Sequence, residues 1–310
     1  MSKINLRAST AAVLLCAALP AAHAIENGAP ITPFGVMDFG AGQVPPPSEY
    51  GTVGLRVASY RASKLRDNDG HVSAVKPDLA VDSVGVAFIK MTSYSLGDAK
   101  FGWGAVLPYL RTSLDLEVPT PVGSLALSGK NSAQGDLQLI PVILQWNPAP
   151  GWYANVQLQV QLPTGGYDQA RLINAGTNHW TVSPVLAFTH IGASGFEVSS
   201  SIQVNFNGRN KDTDYKSGIE YLQEFALGQH VGPWTLGLGG YYQQQVSDDK
   251  AASLASGNGN RARVMALGPA VNYFDLGSGW PLVWVHAYKE FGARNRSQGT
   301  HGAIRAAWTF

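Results

Sequence analysis

Few side chains in this 310-residue chain have the types and spacing that chemistry demands. His179, His190 and His301 show neither H-x-x-x-H nor H-x-H spacing, so no metal site is expected. Gly277-Ser278-Gly279 lacks the G-x-S-x-G spacing of a nucleophile elbow and reads as a turn. Gly237-Leu238-Gly239-Gly240 is no phosphate loop; it falls inside a strand pattern, where small residues make room or relieve curvature. Cys16 is the single cysteine and sits in the N-terminal apolar stretch, so no disulfide or thiolate chemistry is expected of the processed chain. No cofactor is implied, and no segment matches the Ser–His pair of a membrane-embedded lipid hydrolase. The chain does not read as an enzyme.

What remains is a set of side chains suited to contact rather than catalysis. Gln157, Gln159, Gln161, Gln203 and Asn205 offer uncharged hydrogen-bonding groups, and Glu197, Glu220, Glu224, Glu290 and Arg305 add sparse charge. A wall of this kind favours neutral or weakly polar solutes over highly charged ones. The same groups could instead pair with one another across a closed lumen, because narrow barrels fill with side chains.

The element that aligns them is the strand. From Trp152 the even positions read Trp, Ala, Val, Leu, Val, Leu while the odd positions read Tyr, Asn, Gln, Gln, Gln. Successive strand side chains point to opposite faces, so this segment has one apolar and one polar wall. Phe196–Asn207 and Ile304–Phe310 repeat the pattern. The same test places about twelve strands, near 50–62, 81–95, 101–117, 134–147, 151–162, 177–191, 194–208, 215–229, 232–246, 260–274, 280–292 and 300–310. Val84–Ile89 and Ile140–Leu144 are the least regular, being apolar at successive positions.

Connection lengths alternate. Short links fall at 96–98, 148–150, 192–193, 230–231 and 275–279; longer polar links fall at 63–80, 118–133, 163–176, 209–214, 247–259 and 293–299. Short turns at one rim, long loops at the other and an even strand count predict an all-β, antiparallel transmembrane barrel with periplasmic turns and extracellular loops. Trp103, Trp146, Trp152, Trp234 and Trp280 lie near short turns and Trp308 near the last residue, as an aromatic girdle at one lipid interface would require. Charges gather in the long links, among them Arg61, Lys64, Arg66, Arg209, Asp214, Arg294 and Arg296. A charge on the lipid face costs ~2–4 kcal/mol near the midplane, so that distribution fits.

Composition agrees. Only 14% of residues are charged, against 35 Gly, 8 Trp, 12 Tyr and 11 Phe. Globular proteins carry about a quarter charged residues. Lys3 and Arg7, the apolar run Ala11–Leu19 and Ala22-His23-Ala24 read as a signal peptide over 1–24, cleaved after Ala24. Losing Lys3 and Arg7 takes 22 basic residues to 20 against 21 acidic, a balance that suggests no nucleic-acid partner. A Pro-rich segment, 25–49, precedes a barrel over 50–310 and is either a periplasmic tail or a lumen plug. Phe310, after Ile304, Ala306 and Trp308, resembles the terminal signal read by the barrel-assembly machinery.

Three groups of residues carry a family resemblance: Pro163-Thr164-Gly165-Gly166-Tyr167-Asp168 with Asn174–Trp180 and Pro184; Asn207-Gly208-Arg209-Asn210 with Thr213–Gly218; and Gly268-Pro269 with Glu290–Arg296 and Gly299. Their ordered combination resembles the "MetA-pathway of phenol degradation", or SphA-like, outer-membrane proteins. The resemblance implies a barrel in outer-membrane lipid that handles small hydrophobic, often aromatic, solutes. It implies no catalytic residue. A structural or adhesive barrel with a plugged lumen is the alternative expectation, and an outer-membrane lipid hydrolase the third.

Overall fold

The computed structural model describes residues 33–251, 254, 261–275 and 277–310; the expected signal peptide and its cleavage site lie outside the described residues. Thirteen strands are present among the described residues: β1 Thr52–Arg66, β2 Lys76–Leu96, β3 Ala99–Thr120, β4 Gly123–Gln134, β5 Gln138–Trp146, β6 Trp152–Gln161, β7 Thr181–Ile191, β8 Phe196–Asn207, β9 Glu220–Val231, β10 Trp234–Gln245, β11 Arg263–Tyr273, β12 Leu282–Arg294 and β13 Arg296–Thr309. All pairings are antiparallel. β1 pairs β13, and β2 pairs both β1 and β3, which closes a ring of 12 strands with β4 outside it. Closure removes the free edges that a bilayer could not solvate.

The outer surface is apolar. Val53, Leu55 and Val57 on β1, Val84 and Val86 on β2, and Leu236 and Leu238 on β10 are all exposed large side chains. On β3 the outward band runs from Trp103 to the exposed Arg111, about nine residues, which is the length of a tilted transmembrane strand. Arg61 meets Asp82 at 2.8 Å on the same outer face, marking the top of the apolar band on β1 and β2.

Two expected long links are not loops. Residues 118–133 belong to a β3–β4 hairpin: the upper half of β3, from Tyr109, pairs β4, while Lys100–Val106 pairs β5. Val118, Leu125 and Leu127 sit half-buried at alternate positions there, with Glu117, Pro119, Ser124, Ala126 and Ser128 exposed on the other face. The link expected at 293–299 shrinks to Asn295, whose φ of 50° turns the chain directly from β12 into β13. Asn tolerates this left-handed geometry better than most residues. Arg296, expected among loop charges, is consequently buried inside the barrel.

The irregular strands have physical reasons. The β5–β6 register shifts between Leu139 and Val142, a bulge at Ile140-Pro141 where proline withholds a ladder donor. Ile140 and Ile143 therefore both face inward and pack with Met91. On β2 the inward residues are themselves apolar, for the reason given below.

Candidate functional site

Residues 33–44 lie inside the barrel, and the wall is built to hold them. Phe34 packs on Tyr241 with ring centroids 4.6 Å apart, under the Arg296 guanidinium. Gly35 follows in the left-handed region at φ 70°, turning three successive amides toward one carboxylate. Glu224 accepts the N–H groups of Gly35 at 2.5 Å, Val36 at 3.1 and 3.2 Å, and Met37 at 2.5 Å. Asp38 takes Arg305 at 3.1 Å and His286 at 3.0 Å. Arg305 also donates to the Val36 carbonyl and stacks on Trp284, whose Nε1 donates to the Phe39 carbonyl at 2.9 Å. Across the lumen, Gly40 donates to Glu197 at 2.8 Å, Asn155 donates to the Ala41 carbonyl at 2.9 Å, and Gly42 donates to Thr189 at 2.9 Å. Phe39 is seated where β9 carries Gly228; a Cβ there would come within 2.5 Å of its ring.

The remaining expected wall residues pair with the wall itself. Gln157 donates to Asn155 at 3.0 Å and Gln159 to Gln157 at 3.2 Å, while Gln161 donates to Asp136 at 3.2 Å. Gln203 donates to Asn205, and Glu220 accepts from Asn205 at 3.3 Å and Gln243 at 3.2 Å. Glu290 gathers four donors: Tyr60 at 2.7 Å, Tyr241 at 2.8 Å, the Gly299 amide at 2.7 Å and Arg296 at 3.3 Å. Trp103, Trp152, Trp234, Trp280 and Trp308 are exposed on the outer surface, with Trp146 half-buried near the same rim.

Above residues 33–36 opens a cavity of about 330 Å³ with an uneven lining. Leu79, Val81 and Ala87 of β2 and Val106, Leu110, Leu114 and Leu116 of β3 make one side apolar; Arg56, Tyr60, Tyr241, Arg296, His301 and Arg305 gather at the floor. Leu114 and Leu116 cluster with Ile173 at the extracellular end. This explains the missing alternation on β2: both its faces meet apolar surroundings, lipid outside and the cavity inside. Among the described residues no group of His, Cys, Asp and Glu could hold a metal ion.

The family described as MetA-pathway of phenol degradation matches residues 62–306. The chain belongs to that family. The crystal structure of an outer membrane channel from Pseudomonas putida F1 is similar with a TM-score of 0.70 at 16% identity, covering 86% of this chain and 100% of that one. The transport unit of the autotransporter AIDA-I from Escherichia coli is similar at 0.51 and 12% identity, covering 84% and 90%. At these identities the likeness is one of fold, that of outer-membrane barrels. No protein of curated function matches by sequence.

In this member of the MetA-pathway family the resemblance-bearing residues turn out to be the architecture of the extracellular mouth. Asp136 ties the β6–β7 loop down, accepting from the Gly165 amide at 2.8 Å and from both the amide and hydroxyl of Thr177 at 2.7 Å. Gly165 and Gly176 touch backbone to backbone, where a Cβ would come within 2.7 Å. Asn210 joins the loops, donating to Tyr167 and accepting from Asn178, each at 2.9 Å. The C-terminal group supplies Glu290, Arg296 and Gly299, the lock just described. Ile173–Thr177 and His179 also line the cavity.

Sequence reading missed Asp38, Arg56, Asp136, His286 and the apolar side of the cavity. Arg56 was within reach, because Gly54, Arg56 and Ala58 alternate with Val53, Leu55 and Val57. Asp38, Asp136 and His286 stand in no pattern, since their partners lie far away in the chain.

Proposed function

We propose that this chain is an outer-membrane channel for uptake of small hydrophobic or aromatic compounds, gated by residues 33–44. The apolar cavity, open toward the loop cluster and floored by that segment, carries the reading. A solute captured at the mouth meets Leu114, Leu116 and Ile173, then moves along β2 and β3 until the segment stops it. Water-filled pores keep a polar inner face; an apolar stripe inside a barrel favours solutes that leave water readily. The family's description and the fold shared with the Pseudomonas putida F1 channel support the same reading.

In this scheme Gln157, Gln159, Gln161, Gln203 and Asn205 line the opposite wall, while Glu197, Glu224 and Arg305 hold the gate. Glu220 and Glu290 stiffen the wall. The outward tryptophans anchor the barrel at the periplasmic lipid interface, Phe310 serves the assembly machinery, and residues 1–24 direct export.

A permanently plugged structural barrel is the second reading, favoured by the number of hydrogen bonds that seat residues 33–44. Uptake of a labelled single-ring compound into liposomes carrying the protein separates the two. Uptake above protein-free liposomes, lost from cells on deletion of the gene, supports the channel. A sealed barrel, with cellular uptake unchanged by deletion, would sink it.

A further inference from the structure

Three arginines line the floor of the cavity, and they are not equivalent. Arg296 is paired with Glu290 at 3.3 Å, and Arg305 with Asp38 at 3.1 Å. Arg56 has no carboxylate within ion-pair distance among the described residues. Its Nη2 donates to the Phe34 carbonyl at 2.8 Å and to His301 Nε2 at 3.2 Å; its Nε is buried and has no partner.

Donor chemistry fixes the rest of this cluster. A guanidinium can only donate, so His301 Nε2 accepts. Its Nδ1–H then donates to His286 Nε2 at 3.2 Å, and His286 Nδ1–H donates to Asp38 at 3.0 Å. Both imidazoles are thereby neutral, and neither offsets the Arg56 charge. Glu224 and Asp38 act on the Arg56 charge only from a distance, and their oxygens are already taken up in hydrogen bonds. Asp38 serves Arg305 and His286, and Glu224 serves the amides of residues 35–37. A guanidinium carries five N–H donors, and two contacts leave most of them unused at the polar floor of a cavity whose facing side is apolar.

We infer that Arg56 receives the head group of the solute, and that the cavity takes a compound with an apolar, ring-sized body and one carboxylate. This rests on the uptake reading above and adds the chemical class of its solute. The body lies against Leu79, Val81 and Leu110, and the carboxylate completes the hydrogen bonding of Arg56 at the floor. Guanidinium–carboxylate contact is the strong, charge-assisted kind.

The test is titration calorimetry of the folded chain, in a non-ionic detergent, with 2-naphthoate and its neutral isostere 2-naphthamide. Naphthoate should bind roughly ten-fold or more tightly than naphthamide, the scale of one charged hydrogen-bond contact. In Arg56→Gln that preference should vanish while naphthamide affinity stays within about twofold, which also reports an intact cavity; Arg56→Lys, which keeps the charge but loses the fork, should fall between. Equal binding of the two probes, or a preference that survives Arg56→Gln, overturns the inference and leaves the uptake reading standing. Binding of neither probe removes both. Glu26 lies seven residues before Pro33, outside the described residues. If Glu26→Gln raises naphthoate affinity roughly ten-fold, this chain's own carboxylate is the partner of Arg56 and the inference falls.

Discussion

Glu224→Gln is the sharpest perturbation of the gate, because it changes one oxygen for one NH2 group and leaves the volume alone. The carboxylate accepts three successive amides, with Val36 shared between both oxygens. Glutamine keeps one oxygen, so the amides facing the other lose their acceptor and meet a donor instead. Hydrogen bonds to a charged acceptor contribute about 1.5–3 kcal/mol, and those to a neutral one about 0.5–1.5. Downgrading one bond and losing another or two costs about 2–4 kcal/mol, toward the lower end where water reaches the half-exposed Val36 and Met37. At 1.4 kcal/mol per tenfold, opening of the segment becomes roughly 30-fold to several-hundred-fold more frequent.

Native-state hydrogen exchange reads this directly. The amides of Gly35, Val36 and Met37 should exchange faster by at least the lower factor, while ladder amides of β9 and β10 keep their rates. Because Ser200 donates to the Glu224 backbone carbonyl rather than to its side chain, the local wall is unaffected. Exchange of residues 35–37 within about threefold of the parent protein would refute the claim that this carboxylate holds the gate.

Asp136→Ala strips the β6–β7 loop of three hydrogen bonds and Gln161 of β6 of a fourth, and protease cleavage within 163–177 should then become markedly faster with the barrel core intact. Leu114→Gln places an amide in the apolar cluster at the mouth, so uptake of a neutral ring compound should fall by about tenfold without a change in heat-modifiable gel mobility. Leu238→Arg, outward and near the middle of the apolar band, should cost about 2–4 kcal/mol in an unfolding titration of the barrel in lipid.

How much of this was legible in the sequence depended on what each strand faces. β6 and β8 read cleanly because lipid lies on one side and a hydrogen-bonded polar wall on the other, so composition alternates with the pleat. β5 lost its phase to one bulged proline, and Arg296 looked like a loop charge because nothing local shows that Asn295 alone makes the turn. Asp38, Asp136 and His286 were invisible for another reason: a lone polar residue gains its meaning from a partner, and the partner of Asp38 is 248 positions away. β2 and β3 are the instructive case. Their weak alternation reads locally as a poor strand, yet 18 residue pairs match between them, with one irregularity between Met91 and Ser95. The pattern failed there because the inner face had been given over to Leu79, Val81, Leu110 and Leu114, which a barrel carrying water-soluble solutes would have kept polar. In a closed barrel an apolar inward residue gains nothing from lipid; it must be covered by protein, as Ile173 covers Leu114 and Leu116, or by something that comes and goes. The stretch between that cluster and Phe34 borders the open cavity, and on the uptake function proposed above the departure from period two marks the solute path rather than a defect in the wall.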